Sequence, residues 1–178
     1  GCNTTYSPYV TVTVVGANTY NSGAWSLGSL TPGDAVIVNA GTWTITADTN
    51  LCSLQVRNGA NVVVNSGVTL TVDNAVNVVG TGTLTFNNDA SLLQDPLTTT
   101  NLNTGNIIYK RNSRTVHKFD YTYWSSPVGL QLMANMFTPA QQPLSDKYFW
   151  FNTTSYQWTQ VAVPSLTPMD IGKGYIIR

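Results

Sequence analysis

Between Leu54 and Phe86 an apolar residue recurs every eight positions, at Leu54, Val62, Leu70, Val78 and Phe86. A second row follows two residues behind, at Val56, Val64 and Val72. Each unit reads apolar–x–apolar (Leu-Gln-Val, Val-Val-Val, Leu-Thr-Val), the alternation of a short strand with one buried face. The register then slips to the pairs Val76/Val78 and Leu84/Phe86, one step of six before eight resumes. Between units lie Arg57-Asn58-Gly59-Ala60, Asn65-Ser66-Gly67-Val68 and Asp73-Asn74-Ala75, whose Gly and Asn suit turns. A strand and a turn repeated at nearly fixed length predict a β-solenoid, each coil burying the face of the next. The rival reading is an antiparallel meander, because Asn-Gly also builds hairpin loops. Equal spacing favours the solenoid and predicts one buried ladder in which Leu54, Val62, Leu70, Val78 and Phe86 stack on one another.

Upstream, residues 9–15 alternate and read as a first strand. Residues 16–33 are loop-rich and carry Trp25, so residues 1–33 form a strand and a cap. Ala35–Asn39 and Trp43–Ile45 flank the turn Ala40-Gly41, which starts an irregular solenoid at about residue 34 and carries it to 94. Residues 95–105, with Pro96 and Thr98-Thr99-Thr100, are polar and aperiodic and read as a linker. Beyond it, residues 106–178 read as an aromatic-rich, β-sandwich-like region. Its strands are expected at Ile107–Arg111, Phe119–Trp124, Lys147–Asn152, Gln157–Val161 and Gly174–Arg178. Gly129–Met136 is the one helical stretch expected, stopped by Pro139 and Pro143. The last strand has no polar tail after it, which suggests a fragment of a longer protein.

Composition agrees with an all-β fold. Charged residues make up only 9% of the chain, all eight acids are Asp, and Thr and Asn together supply 44 residues. Residues 1–100 hold five Asp and one Arg, whereas residues 101–178 hold seven Lys/Arg and three Asp. That split marks two different surfaces, but it is too dilute for a nucleic-acid face. No run of 18 apolar residues occurs, so no membrane span is expected. Cys2 and Cys52 are an even pair in a charge-poor chain, which fits an extracellular disulfide. Two buried thiols, or a lipidated Cys2 after Gly1, are the other readings.

Several motifs occur in order: Gln94, Asn103-Thr104-Gly105-Asn106, Lys110-Arg111, Tyr121-Thr122-Tyr123-Trp124-Ser125-Ser126-Pro127-Val128 and Gly172-Lys173-Gly174-Tyr175-Ile176-Ile177-Arg178. The series resembles a module of large secreted or cell-surface proteins of Bacteroidetes, particularly flavobacteria, exported by type IX secretion. There a short solenoid of Gly-Thr-Leu-Thr units precedes the Tyr-Trp-Ser-Ser-Pro-Val motif. Ser66–Val72, Gly82–Phe86 and Ala90–Gln94 look similar to those units. The resemblance covers about residues 34–178 and implies an extracellular or cell-surface location.

Candidate chemistry is sparse. The one histidine, His117, lies among Lys110, Arg111, Arg114 and Lys118, with no acid expected to orient its ring, so a solvated loop is the stronger reading. The basic run itself could meet acidic polysaccharide or phosphate, or be a solvated hairpin loop. Zinc lacks ligands, and no catalytic residues are assigned. Calcium could use oxygens of Asp73, Asn74 and Asp89 at solenoid turns, although the Asp-rich nonapeptide repeat of calcium-binding rolls is absent. Otherwise no cofactor is expected. Trp150, Trp158 and Tyr156 are the candidate glycan-binding rings, with Tyr121, Tyr123 and Trp124 as further aromatics. Trp124 is expected buried as an anchor between the two regions, with no cluster of coplanar exposed rings. The strand at 147–152 must expose either Trp150 or the Phe149/Phe151 pair unless both faces are covered. Asn3 and Asn152 head glycosylation sequons that a bacterial source would leave idle.

The expected function is a non-catalytic structural or adhesive module, a rigid spacer or a means of attachment on a secreted bacterial protein. The alternative is a carbohydrate-binding module of a secreted multidomain enzyme, and an enzyme in its own right comes third. Expected partners are other surface proteins or polysaccharide, with self-association open.

Overall fold

The short alternating stretches become parallel strands in a computed structural model that describes residues 16–94 and 102–178. The chain divides into two units, Gly1–Asn112 and Ser113–Arg178. The strand expected at 9–15 lies outside the described residues.

In the first unit the strands are β1 (Asn18–Asn21), β2 (Ala24–Trp25), β3 (Asp34–Ala40), β4 (Thr42–Ile45), β5 (Thr49–Val56) and β6 (Asn61–Val64). They continue with β7 (Thr69–Val72), β8 (Val76–Val78), β9 (Thr83–Phe86), β10 (Ser91–Gln94) and β11 (Ile108–Tyr109). Three parallel ladders connect them. The first passes from Asn18 to Val36, Leu54 and Val76. A second passes from Trp43 to Val62 and Leu84, and from Phe86 to Tyr109. The third passes from Thr49 to Leu70 and Leu92. Strand β5 bends to serve two of them, its first residues pairing with β7 and its last with β8. The result is a β-solenoid of about 4 turns.

The eight-residue spacing is one side of a coil, not a whole coil. Leu54, Val62 and Leu70 lie on successive sides of one turn. Their stacking partners are Val76, Leu84 and Leu92, each 22 residues further on. The single ladder expected for Leu54, Val62, Leu70, Val78 and Phe86 is therefore not formed; Val78 stacks on Val56 and Phe86 on Val64. The step of six from Leu70 to Val76 is the third corner, and eight, eight and six close the circuit. All sides still point their alternate residues inward, and Val62, Leu70, Leu84 and Phe86 are fully buried.

Corners are built from side chains as well as turns. Val68 N–H closes the turn Asn65–Val68 on the Asn65 carbonyl with Gly67 at φ 76°; one coil later Ala90 closes Asn87–Ala90 with Asp89 at φ 63°. Asp is among the few non-glycine residues that visit this region readily. Asn21, Asn39 and Arg57, 18 residues apart in the shorter early coils, form a row. In it the Asn39 amide donates to Asn21 at 2.8 Å and the Arg57 guanidinium to Asn39 at 3.0 Å.

Both described ends of the stack are dressed. At the first, β2 folds back antiparallel on β1, and Trp25 meets Tyr20 and Trp43 edge-on at 5.1 Å. Residues 16–33 thus contain a solenoid strand the sequence hid, because Asn18, Thr19 and Tyr20 are not an apolar alternation. Beneath it Asp34 accepts the Asn18 amide at 2.8 Å and the Thr31 hydroxyl and N–H at 2.6 and 3.0 Å. Burial pushes the Asp34 carboxyl up, but these hydrogen bonds outweigh it and hold the group below the ordinary carboxylate range. At the other end Tyr109 stacks on Phe86 at 5.0 Å. Arg111 lies over the Tyr109 ring at 4.2 Å and donates to the carbonyls of Ala90 and Asn87. Asn103 exchanges amide hydrogen bonds with Gln94 and accepts from Val76 N–H at 2.8 Å. These contacts attach residues 103–112 to the solenoid, so the units divide after Asn112, later than the 95–105 linker expected from composition.

The second unit is a four-stranded antiparallel sheet of β12 (Thr122–Trp124), β13 (Tyr148–Asn152), β14 (Gln157–Gln160) and β15 (Tyr175–Ile177). Their order is β12-β15-β13-β14, so the last strand in sequence is central. Short 3-10 turns occur at Ala134–Met136, inside the stretch expected to be helical, and at Ser145–Lys147. One face packs its Tyr148, Tyr175 and Ile177 with Met133, Val161 and Met169, and Trp124, Trp150, Met136 and Phe137 close over them. Where a sandwich-like region was expected, connecting segments rather than a second sheet cover that face among the described residues.

Two outcomes follow from the stacking. Leu84→Ala leaves a void between coils and should lower stability by about 2–5 kcal/mol, read from urea unfolding of the intact chain. Asp34 has a depressed folded pKa, so its contribution is present above its unfolded value, near 3.8, and is lost as pH falls through the lower folded one. The wild-type urea midpoint should therefore drop more steeply than that of Asp34→Asn between pH ~5 and ~2.

Candidate binding face

The second unit's sheet has one face packed and one facing water, and the alternation of each strand decides which rings go where. Trp150 pairs across the sheet with Tyr175 and Thr159, on the packed side. The Lys173 ammonium sits over the Trp150 ring at 4.1 Å, with Asp170 at 3.1 Å from the amine and the Asp170 N–H donating to the Tyr175 hydroxyl. This is a cation–π lid on a half-buried ring rather than an open platform. It also accounts structurally for the Gly172-Lys173-Gly174-Tyr175 sequence.

Trp158 pairs with Phe151 on the opposite side and is 45% exposed. Tyr156, at φ 55° in the hairpin turn, is 80% exposed. The three candidate glycan rings are thus not one platform: Trp150 is parted from Trp158 by the sheet itself, and Tyr156 stands in the turn. Strand β13 exposes the Phe149/Phe151 side, not Trp150. Trp124 is half-buried rather than buried. It meets Phe137 edge-on at 5.7 Å within the second unit's own core, and its ring N–H donates to the Thr122 hydroxyl.

The water-facing side carries the rings that sequence reasoning undervalued. Tyr123 and Phe149 flank Ile176 in one cross-strand row, and Phe151 meets Trp158 edge-on at 5.3 Å in the next. Tyr121 meets Phe149 at 6.1 Å. Ile176 is buried on this side, whereas Tyr123 and Phe119 are 81% and 69% exposed. At one end the Arg178 guanidinium lies 5.4 Å from the Tyr121 ring and 5.8 Å from that of Phe119, and the Lys118 amine lies 5.5 Å from Phe119. The signal was present as the alternations Phe119-x-Tyr121-x-Tyr123, which runs into β12, and Phe149-x-Phe151 on β13.

The remaining candidates separate. Ser126 is buried; its hydroxyl donates to the Val128 carbonyl at 2.7 Å and accepts the Val128 N–H, so the Trp-Ser-Ser-Pro-Val motif builds a turn. The basic run is split between units, Lys110 and Arg111 at the solenoid end and Arg114, His117 and Lys118 in the second unit. His117 does have an acid beside it: Asp120 lies 3.4 Å from its Nδ1 and accepts the His117 backbone N–H at 2.9 Å. That histidine side chain is 91% exposed.

Asp73 and Asn74 stand at one corner of the coil and Asp89 at another. Among the described residues no group of three or more His, Cys, Asp or Glu gathers to hold a metal. No helix among them is long and apolar enough to cross a membrane. Cys52 is buried and disulfide-bonded, and Asn74 donates to its carbonyl at 3.0 Å. Cys2, the partner expected from the sequence, lies outside the described residues. Asn152, head of the second sequon, accepts the N–H groups of Thr154 and Ser155.

A family model described as a domain of unknown function (DUF8693) matches residues 14–178, so the chain belongs to that family. No curated protein and no solved structure matches it.

Non-reducing peptide mass analysis of the natively produced chain should show Cys2 cross-linked to Cys52, with two hydrogens lost. Closing a loop of roughly 50 residues stabilises by about 4 kcal/mol on chain-entropy grounds. Two alkylatable thiols would exclude the pairing.

Proposed function

We propose that this member of the DUF8693 family is a non-catalytic structural or adhesive module of a secreted bacterial surface protein. In this reading the solenoid is a rigid spacer and the second unit attaches to a partner. One observation carries it: the water-facing side of the second unit's sheet carries the exposed rings of Phe119, Tyr121, Tyr123, Phe151 and Trp158, and an exposed apolar patch of this kind marks an interaction site. The solenoid supports the spacer role, because its inward-facing apolar residues are engaged in stacking coil on coil. A disulfide-bonded Cys52, the shortage of charge and the resemblance to exported flavobacterial modules support an extracellular setting.

The second reading, a carbohydrate-binding module of a secreted enzyme, draws on the exposure of Trp158 and Tyr156. The adjoining coding sequence separates the two: tandem copies of this module favour adhesion, and a hydrolase domain favours the second reading.

Beads coated with the 178-residue chain test attachment directly. Under flow they should be retained on immobilised bacterial cells or cell-wall polysaccharide above beads carrying an unrelated neutral protein. Release from every surface at the control rate would refute the reading.

A further inference from the structure

We infer that the water-facing side of the second unit's sheet binds an anionic oligosaccharide segment, with sugar rings on Tyr123 and Trp158 and an acidic substituent at Arg178 and Lys118. This rests on the attachment reading and names its partner. Three observations on that face support it.

The first is the composition of the surface. Apart from buried Ile176, the side chains of this face are aromatic rings, Gln160 and cations. The axial C–H groups of a pyranose form an apolar patch that suits the negative face of an aromatic ring. Meanwhile the Tyr121 and Tyr123 hydroxyls and the Gln160 amide can serve the sugar hydroxyls. Tyr123 is the most exposed of these rings, and Trp158 presents the largest one.

The second is charge. In the second unit, Asp146 pairs with Lys147, Asp170 with Lys173 and Asp120 with His117. The cations bordering the aromatic face, Lys118 and Arg178, lie against ring faces, and Asp146 stands close enough to Arg178 for its carboxylate to feel that charge. Arg178 is also fixed through its backbone, its N–H donating to the Lys147 carbonyl at 3.2 Å. A guanidinium beside rings is suited to a carboxylate or sulfate, which it can grip through two parallel hydrogen bonds.

The third is size. Four strands about 4.8 Å apart and up to five residues long, at about 3.3 Å each, project on the order of 200 Å². That backbone footprint is wide enough to lay a few sugar units across the strands.

Affinity electrophoresis of the 178-residue chain is the test, in gels containing polygalacturonate, a sulfated galactan, uncharged dextran or poly-aspartate. Retardation is expected in one or both anionic glycans and not in dextran; which of the two retards more tells carboxylate from sulfate. Trp158→Ala and Arg178→Gln should each weaken it roughly tenfold or more, the scale of an interface anchor, with the far-UV circular dichroism unchanged. If Trp158→Ala unfolds the sheet, Tyr123→Ser takes its place, since that ring is 81% exposed. Arg114→Gln removes an equal charge from a side chain that is not set against the rings of this face, and should leave retardation unchanged. Equal loss on Arg114→Gln, or equal retardation by poly-aspartate, would reduce the effect to general charge attraction and overturn the site. A dimer in sedimentation that Tyr123→Ser dissolves, without glycan binding, would assign the face to a second copy instead. Beads that still adhere under flow while no glycan retards the chain would remove this inference and leave the attachment reading standing.

Discussion

Everything in the first unit depends on parallel backbone pairing between successive coils, which lengthen from 18 residues at the start to 22 later. A parallel ladder accepts a neighbour only in one register, since a slip of a single residue would turn every inward side chain outward. Leu54 on Val76, Val62 on Leu84 and Leu70 on Leu92 meet that condition on three sides at once. Three ladders that here share the same step of 22 residues leave no direction in which that coil can slide. The corner residues follow from this constraint: Gly67 and Asp89 occupy equivalent turns because the coil must close at the same place each time.

The second unit solves a different problem. Its four strands are short, and a single sheet can hide only one face unless something covers the other. Connecting segments carrying Met133, Phe137, Val161 and Met169 cover the first face. Rings and cations populate the other. The face that was left open is the reason that a functional reading centres on this unit and not on the coils, whose inward residues are all engaged.

Much of this was legible in the sequence, and the misreadings have physical causes. The octad was real, but strand alternation says which residues point inward and not at which of three sides the chain stands. The step of six between Leu70 and Val76 held that information. Strand β1 escaped notice because Asn18 is buried through hydrogen bonds to Ser29 and Asp34 rather than through apolar contact. Residues 103–112 looked like the far side of a linker because Asn103 and Thr104 are polar, yet their polarity is what satisfies Gln94, Val76 and Asn77 at the end of the stack. On β13 the alternation fixed that Trp150 and the Phe149/Phe151 pair part company. Which of them meets water depended on the connecting segments that pack against the Trp150 side, with Lys173 over its ring.

The central place of β15 separates the two units in time as well as in architecture. A coil can settle on its predecessor as soon as it leaves the ribosome, because its partner already exists. The second sheet cannot: β12 and β13 have no bond to each other and wait for Tyr175–Ile177 to arrive between them. Until those residues emerge, the hairpin of β13 and β14 carries its rings unsupported. The interval before the last strand docks is the period in which chaperones would have most to do.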